Sequence, residues 1–375
     1  VLPLKQALAT VTALAATVAL VLALIASPAA ALPAGPRLTF FELEVLKKES
    51  AEKEAATGAL RFASVDADGR HWAALAQPAG VVLEGFDISW DADGGAYAFL
   101  GQARSVKKGV KNPQQIFVAN ADGSGVHAVS GTEGTGGAIL SADGEWVAFT
   151  RTRRRKLHLN SKNPKSVLKE LTRHHYSSTT TWIAPVAGGT PKRLTPWADG
   201  RISTPTSFSP DGSTLLVDTS RTGGRPEVQA IDLATGALKT VEVEAEEAVY
   251  SPDGTQIAFT SYRDHQSVAG FDGPEGTTEI YVAAADGSGA RRVTHTPKAQ
   301  EEDPNWDPSG SRLAYKRSSG GLLGFLFGKV VESNADGSCA SVVGELEPRR
   351  KGAVGLLGAP TWIPGEGRGA GPISC

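Results

Sequence analysis

Three groups of side chains in this 375-residue sequence have the types needed for proton or metal chemistry. Glu301-Glu302-Asp303 sets three acids in a row, and a pair of carboxyl groups facing one substrate can act as general acid and general base. His174-His175, beside Tyr176 and sixteen residues after His158, offers imidazoles for acid–base work or metal binding. Asp66-Ala67-Asp68-Gly69 and Asp91-Ala92-Asp93-Gly94 open like calcium loops. Each group also has a plainer reading. The acid run suits a solvated face, and the histidines sit in an insertion of solvated-loop character. The Asp-x-Asp-Gly stretches lack a distal Glu at the calcium-loop spacing, and turn formation accounts for them. There is no Gly-x-Ser-x-Gly elbow, no His-Glu-x-x-His motif, no phosphate loop and no cysteine cluster. The sequence therefore assigns no catalytic residue, no metal ligand and no cofactor.

The elements that must position any site form a repeat. Its clearest copy runs from Val249-Tyr250-Ser251-Pro252-Asp253-Gly254 through Gln256-Ile257-Ala258-Phe259-Thr260-Ser261. Glu279-Ile280-Tyr281-Val282-Ala283, Asp286-Gly287-Ser288-Gly289 and Arg291-Arg292-Val293-Thr294 complete it. β-Branched and aromatic residues alternate between turn residues, which predicts four short strands, a to d from the axis outward. Pro252 presets φ for the second turn position, Asp253 bonds its own backbone, and Gly254 accepts a left-handed conformation. Asp286-Gly287 is a strong hairpin signal. Equivalent units lie at about 86–130, 137–195, 205–241, 247–294 and 303–343. A sixth is split: residues 36–80 supply strands b to d, and 359–365, with Thr361-Trp362-Ile363, supply strand a. The expectation is an all-β, six-bladed β-propeller whose first blade is closed by the C-terminal strand. Closure of this kind removes the free edges of an open sheet.

The Ser-Pro-Asp-Gly, Ile-Ala-Phe and Ala-Asp-Gly-Ser-Gly elements together resemble the TolB-type propeller repeat, a relative of the WD-repeat, over about residues 36–365. The resemblance implies the fold firmly and the family's cellular role only loosely. TolB carries a separate α/β domain before its propeller, and none is expected ahead of this one. Propellers also serve hydrolases and lyases, but no residues are left over for a hydrolase domain.

Two features exceed what a scaffold needs. Residues 151–175, inserted between strands b and c of the third blade, hold nine basic residues against one acid, Glu170. Arg151, Arg153, Arg154, Arg155 and Lys156 head the run, which suits an acidic partner or an anionic polymer. The bland alternative is a solvated hairpin or short helix. Nucleic acid is not expected, because the chain is read as exported and no aromatic residues interleave with these arginines. The second feature is apolar. Leu322, Leu323, Phe325 and Phe327 lie between strands b and c of the sixth blade. Leu356 and Leu357 lie in Gly352–Gly358, read as leading from its strand d to the closing strand. In a meander, b–c and d–a connections emerge on one face, which also receives Trp197 and Glu301-Glu302-Asp303. Exposed, the apolar segments form a partner patch; packed together, they extend the core. Residues 42–57, rich in Glu, Lys and Ala, predict a helical or disordered excursion in the first blade's b–c connection on the same face; the alternative is a helix that precedes the propeller.

The termini set the compartment. Lys5, an apolar run to Ala26 and the small residues Ala29-Ala30-Ala31 read as a signal peptide over residues 1–31; the competing reading is an uncleaved anchor. Residues 32–375 then form one propeller domain, secreted or periplasmic in the cell envelope, with no transmembrane segment in the mature chain. Cys339 and Cys375, the only cysteines, suit one disulfide after export. The formal net charge of −2 supplies no global field toward nucleic acid or anionic membrane. The function expected is a non-enzymatic, monomeric scaffold that binds a protein or glycan through the b–c/d–a face. The alternative is a polysaccharide lyase or hydrolase at the channel mouth.

Overall fold

The computed structural model describes residues 37–45, 58–66, 73–104, 112–131, 136–154, 177–198, 200–221, 224–264, 277–296, 299–318, 328–345, 353–363 and 372–375. These residues form six four-stranded antiparallel sheets and no α-helix, in a β-propeller arrangement. Sheet 1 orders Ala353–Ile363, Arg37–Val45, Gly58–Asp66 and Ala73–Ala74 as strands a to d. Sheet 2 spans Val81–Trp90 to His127–Ala128, and sheet 3 spans Gly136–Leu140, Trp146–Arg154, Ser177–Pro185 and Lys192–Arg193. Sheet 4 comprises Arg201–Phe208, Thr214–Arg221, Glu227–Asp232 and Leu238–Val243. Sheet 5 comprises Ala245–Tyr250, Gln256–Ser261, Glu279–Ala284 and Arg291–Arg292. Sheet 6 comprises Gln300–Trp306, Arg312–Ser318, Gly328–Asn334 and Ser341–Glu345. Strand a of each sheet touches strand a of the next, and Gln300–Trp306 touches Ala353–Ile363.

The core lies between sheets, and the period of two along strand b builds it. Val147 and Phe149 pack with Ala98, Ile116 and Val118 of sheet 2, while Ala148 between them packs with Leu215 and Val217 of sheet 4. Leu216 joins Ile257 and Phe259, and Ala258 joins Leu313 and Tyr315. Strand b is thus covered on both surfaces, which is why it reads as an apolar run.

The a–b turns follow their local chemistry. Ser251 Oγ donates to Asp253 Oδ1 (2.6 Å), which also accepts from Thr255 N (3.0 Å), and Gly254 takes φ +71°. The Ser251 hydroxyl, helped by the Thr255 amide, holds the Asp253 carboxyl below its ordinary range. The c–d turns do more than turn. A Cβ on Gly287, at φ +89°, would lie 2.1 Å from the Val241 carbonyl oxygen of sheet 4, and one on Gly337 2.3 Å from that of Val293 in sheet 5. These glycines admit the backbone of the preceding sheet as well as a left-handed φ.

Two expectations about connections are corrected. The excursion expected over residues 42–57 does not begin at Glu42: strand b of sheet 1 continues to Val45, paired with Gly58–Arg61. Leu356 and Leu357 are not in a connection. They sit within the closing strand opposite Glu42 and Phe41, because that strand reaches back to Ala353 past a bulge between the Thr39 and Phe41 pairings. The Cys339–Cys375 disulfide is present, with Cα atoms 5.2 Å apart. The tail is fixed a second time by the Asn334 side chain, which accepts from Ile373 N (2.6 Å) and donates to Ile373 O (3.0 Å). No helix among the described residues is long and apolar enough to cross a membrane.

Candidate functional site

The strand ends that carry the b–c and d–a connections gather charge on aromatic rings. In sheet 3, Arg151 and Arg153 alternate at the end of strand b and so project from the same surface. The Arg151 guanidinium carbon lies 4.2 Å from the Trp182 ring centroid and 5.6 Å from that of Phe149, and its Nη2 donates to Ser130 O (2.7 Å). The exposed Arg153 stacks 4.2 Å over Trp197. Arg153 has no carboxylate partner among the described residues. Trp182 comes from strand c, opposite Phe149, and donates from Nε1 to Thr180 Oγ1 (2.9 Å).

Aromatic residues therefore do accompany these arginines, contrary to the expectation from local sequence. They arrive from strand c and from the loop after strand d, so no run of neighbouring residues displays them. Arg153 and Trp197 had each been singled out, and the structure joins them. Trp182 was missed, and its only signal was its strand-c position, aligned across the ladder with Phe149. Arg154 ends the strand, while Arg155, Lys156, Leu322, Leu323, Phe325 and Phe327 lie outside the described residues, as do His158, His174 and His175.

Sheets 5 and 6 repeat the arrangement with acids added. Arg263 lies 4.7 Å over Tyr281 and pairs with Glu242 at 2.7 Å. Arg292 bridges Glu279 and Asp264, and Arg317 pairs through Nε with Glu301 Oε1 at 2.8 Å. Glu301 is 0% exposed, so the acid run is not a solvated face. It sits on strand a of sheet 6, and alternation turns Glu301 inward toward sheet 5 and Glu302 to the other surface. Burial, reinforced by the nearby Glu301 carboxylate and opposed by the Thr294 hydroxyl, pushes Glu279 up to about 8. Burial and then the charge of Glu247 raise Glu302 to about 7, against the pull of Lys316. Glu247 stands at φ +59° in a strand-a bulge, where Oε2 accepts from Asp303 N and Thr260 Oγ1, both at 2.7 Å. Its own amide donates to Asp218 Oδ2 (2.8 Å), and burial raises the Asp218 carboxyl well above its ordinary value. Among the described residues no three His, Cys, Asp or Glu side chains assemble as a metal set. His127 is engaged at both ring nitrogens by the carbonyls of Gly125 and Val186.

Radially arranged four-stranded meanders, with Asp-Gly turns at several of the a–b and c–d connections, define a β-propeller, and solved TolB structures share its fold. No protein-family model matches the chain. Two curated relatives, both called Tol-Pal system protein TolB, are those of Anaeromyxobacter dehalogenans strain 2CP-C and of Anaeromyxobacter sp. strain K. They are 37% and 36% identical over 102 residues, covering 27% of this chain and 20% of each relative. The match thus spans about a fifth of those relatives' length. The solved structure of a TolB from Agrobacterium tumefaciens matches with TM-score 0.56 at 18% identity, covering 88% of this chain and 95% of that one. TolB from Acinetobacter baumannii matches with TM-score 0.56 at 16% identity, covering 88% and 66%. At these identities the structural likeness speaks to the fold.

Proposed function

We propose that this chain is a non-enzymatic scaffold of the cell envelope that binds a protein or glycan partner through its b–c/d–a face. In this reading it is an exported monomer: residues 1–31 are the signal, and 32–375 form one six-bladed ring whose first blade is closed by the C-terminal strand. Six four-stranded sheets and the ladder between Arg37–Val45 and Ala353–Ile363 support the ring. The Tol-Pal system protein TolB relatives favour a protein partner in the envelope.

The observation that carries the binding site is Arg153, an exposed guanidinium stacked on Trp197 with no carboxylate partner among the described residues. A planar cation over a ring can take a carboxylate in a bidentate grip while the indole supplies apolar contact. Arg151 on Trp182 doubles the platform, and Arg154, Arg155 and Lys156 add positive charge in sequence. Leu322, Leu323, Phe325, Phe327, Leu356 and Leu357 are the second candidate patch. The test replaces Arg153, Arg154 and Arg155 with Ser and measures binding of an acidic partner captured from envelope extract. Weaker binding with a flatter salt dependence is expected. Binding unchanged at every ionic strength overturns the basic site and moves the assignment to the apolar segments.

One observation favours the second reading, a polysaccharide lyase or hydrolase at the channel mouth. Glu302, on an innermost strand beside Glu247, is raised to about 7, where a carboxyl can serve as a general acid. Release of sugar ends from a polysaccharide, abolished in Glu302→Gln, would establish it; no release leaves binding as the function.

A further inference from the structure

Sheet 4 carries a cleft that neither reading uses. It opens at the b–c/d–a end and holds about 550 Å³, within the roughly 300–1,000 Å³ typical of small-ligand sites. Arg201, Arg221, Arg225, Glu227, Val243 and Glu244 line it.

The cleft places like charges together. Arg201 and Arg221 are direct cross-strand partners, so their side chains leave the same surface of the sheet. Like charges directly opposite one another destabilise a ladder. Arg201 donates from Nη2 to Gln229 Oε1 (3.3 Å), an uncharged acceptor. The exposed Arg221 guanidinium has no hydrogen-bond or ion-pair partner among the described residues. The third arginine, Arg225, is already paired with Glu244. Glu244 itself is held at φ +55°, a left-handed conformation that strains a non-glycine residue and is concentrated at ligand sites.

The remaining lining gives the cleft a direction. Glu227 lies opposite Val243 on the outer strand pair, and Val243 is a 54% exposed apolar side chain. Across the sheet, from inside outward, the order is a pair of guanidiniums, then a carboxylate able to accept an N–H, then an apolar surface.

The geometry points to a binding site for the C-terminal carboxylate of a peptide ending in an apolar residue. Arg201 and Arg221 take the carboxylate in charge-assisted hydrogen bonds, which relieves their mutual repulsion. Glu227 accepts the terminal amide N–H, and Val243 receives the side chain. The inference does not depend on the partner surface of sheet 3, because it concerns different residues and a small ligand.

Isothermal titration of the full oxidised chain with N-acetylvaline, N-acetylvalinamide and inorganic phosphate tests it. Saturable binding of N-acetylvaline is expected, with the amide and phosphate each at least about tenfold weaker. Arg221→Gln, a change at an exposed side chain, should weaken N-acetylvaline binding by about tenfold or more, and Val243→Ser by several-fold, neither with a lowered melting temperature. The Arg153/Arg154/Arg155 triple variant should bind the probe like the parent, which separates this site from the partner surface. Absence of saturable binding overturns the proposal, as does equal affinity for the amide or an unaltered Arg221→Gln variant. Phosphate binding as tightly as N-acetylvaline removes the peptide assignment.

Discussion

Sheet 3 and sheets 5–6 use the same device at the same end of the molecule, to different ends. In both regions an arginine at or just past the end of strand b lies over an aromatic ring. In sheets 5 and 6 the guanidiniums of Arg263 and Arg317 also meet the carboxylates of Glu242 and Glu301, and the acids are buried. In sheet 3, Arg153 meets a ring and no carboxylate among the described residues. A guanidinium whose charge is answered from within is part of the fold. One resting on indole keeps its hydrogen-bonding edge available to another molecule. Residue type and stacking are alike in the two regions, so the acids make the difference.

The largest expected effect breaks the internal pairing. Arg317→Met removes the guanidinium that pairs with the fully buried Glu301 carboxylate. The variant should lose about 2–3 kcal/mol in urea unfolding, less than for a wholly buried pair because Arg317 keeps some solvent contact. A loss comparable to that of Arg153→Ser would erase the distinction between the regions.

The next effect is a pH dependence that only the acidic region should produce. The folded chain keeps a proton on Glu279 up to about pH 8, whereas an ordinary Glu releases it near 4.5. Glu302 acts in the same sense, up to about 7. Their contribution is therefore complete below about pH 4.5 and is lost as pH rises through 7 and 8. The urea midpoint should fall between pH 5 and pH 8, and Glu279→Gln should flatten that fall. A midpoint that rises over this interval would show that the buried acids are ionised in the fold.

The smallest effects sharpen the other side. Arg151→Ser removes a stacked ring contact and a hydrogen bond, and should cost about 1–2 kcal/mol. Arg153→Ser removes an exposed stack alone, and should cost about 0.5–1 kcal/mol while changing the fluorescence of Trp197. A larger loss at Arg153 than at Arg151 would mark Arg153 as structural.

What could be read from the sequence is what short-range chemistry determines. Ser251, Asp253 and Gly254 make their turn with one another, so the turn is visible in a short run of residues. Cys339 and Cys375 could be matched because there are no other thiols. The apolar strand-b runs around Phe149 and Phe259 were plain for the same local reason. The rest depended on distance. Glu301 looked solvated because it sits among acids, while the Arg317 that neutralises it is sixteen residues away across a ladder. The second role of Gly287 is set by Val241 of another sheet, and a turn motif says nothing of that. Arg153 and Trp197 were both visible, but their contact was not, because the strand-c hairpin and the next connection must fold before they meet.

The tail clasp changes how the molecule can come apart. The closing strand Ala353–Ile363 belongs to sheet 1, yet the chain on either side of it is tied at sheet 6 through Cys339 and Cys375. An array of repeats normally peels from its ends. Here a load on the C-terminus falls first on a covalent bond and on the Asn334–Ile373 contacts, and the strand behind them is shielded from it. Peeling must start instead from Arg37–Val45, the strand that the other end of the chain can pull away. Under oxidising conditions the closing strand thus resists being pulled away from its own end, and reduction of a single bond removes that resistance.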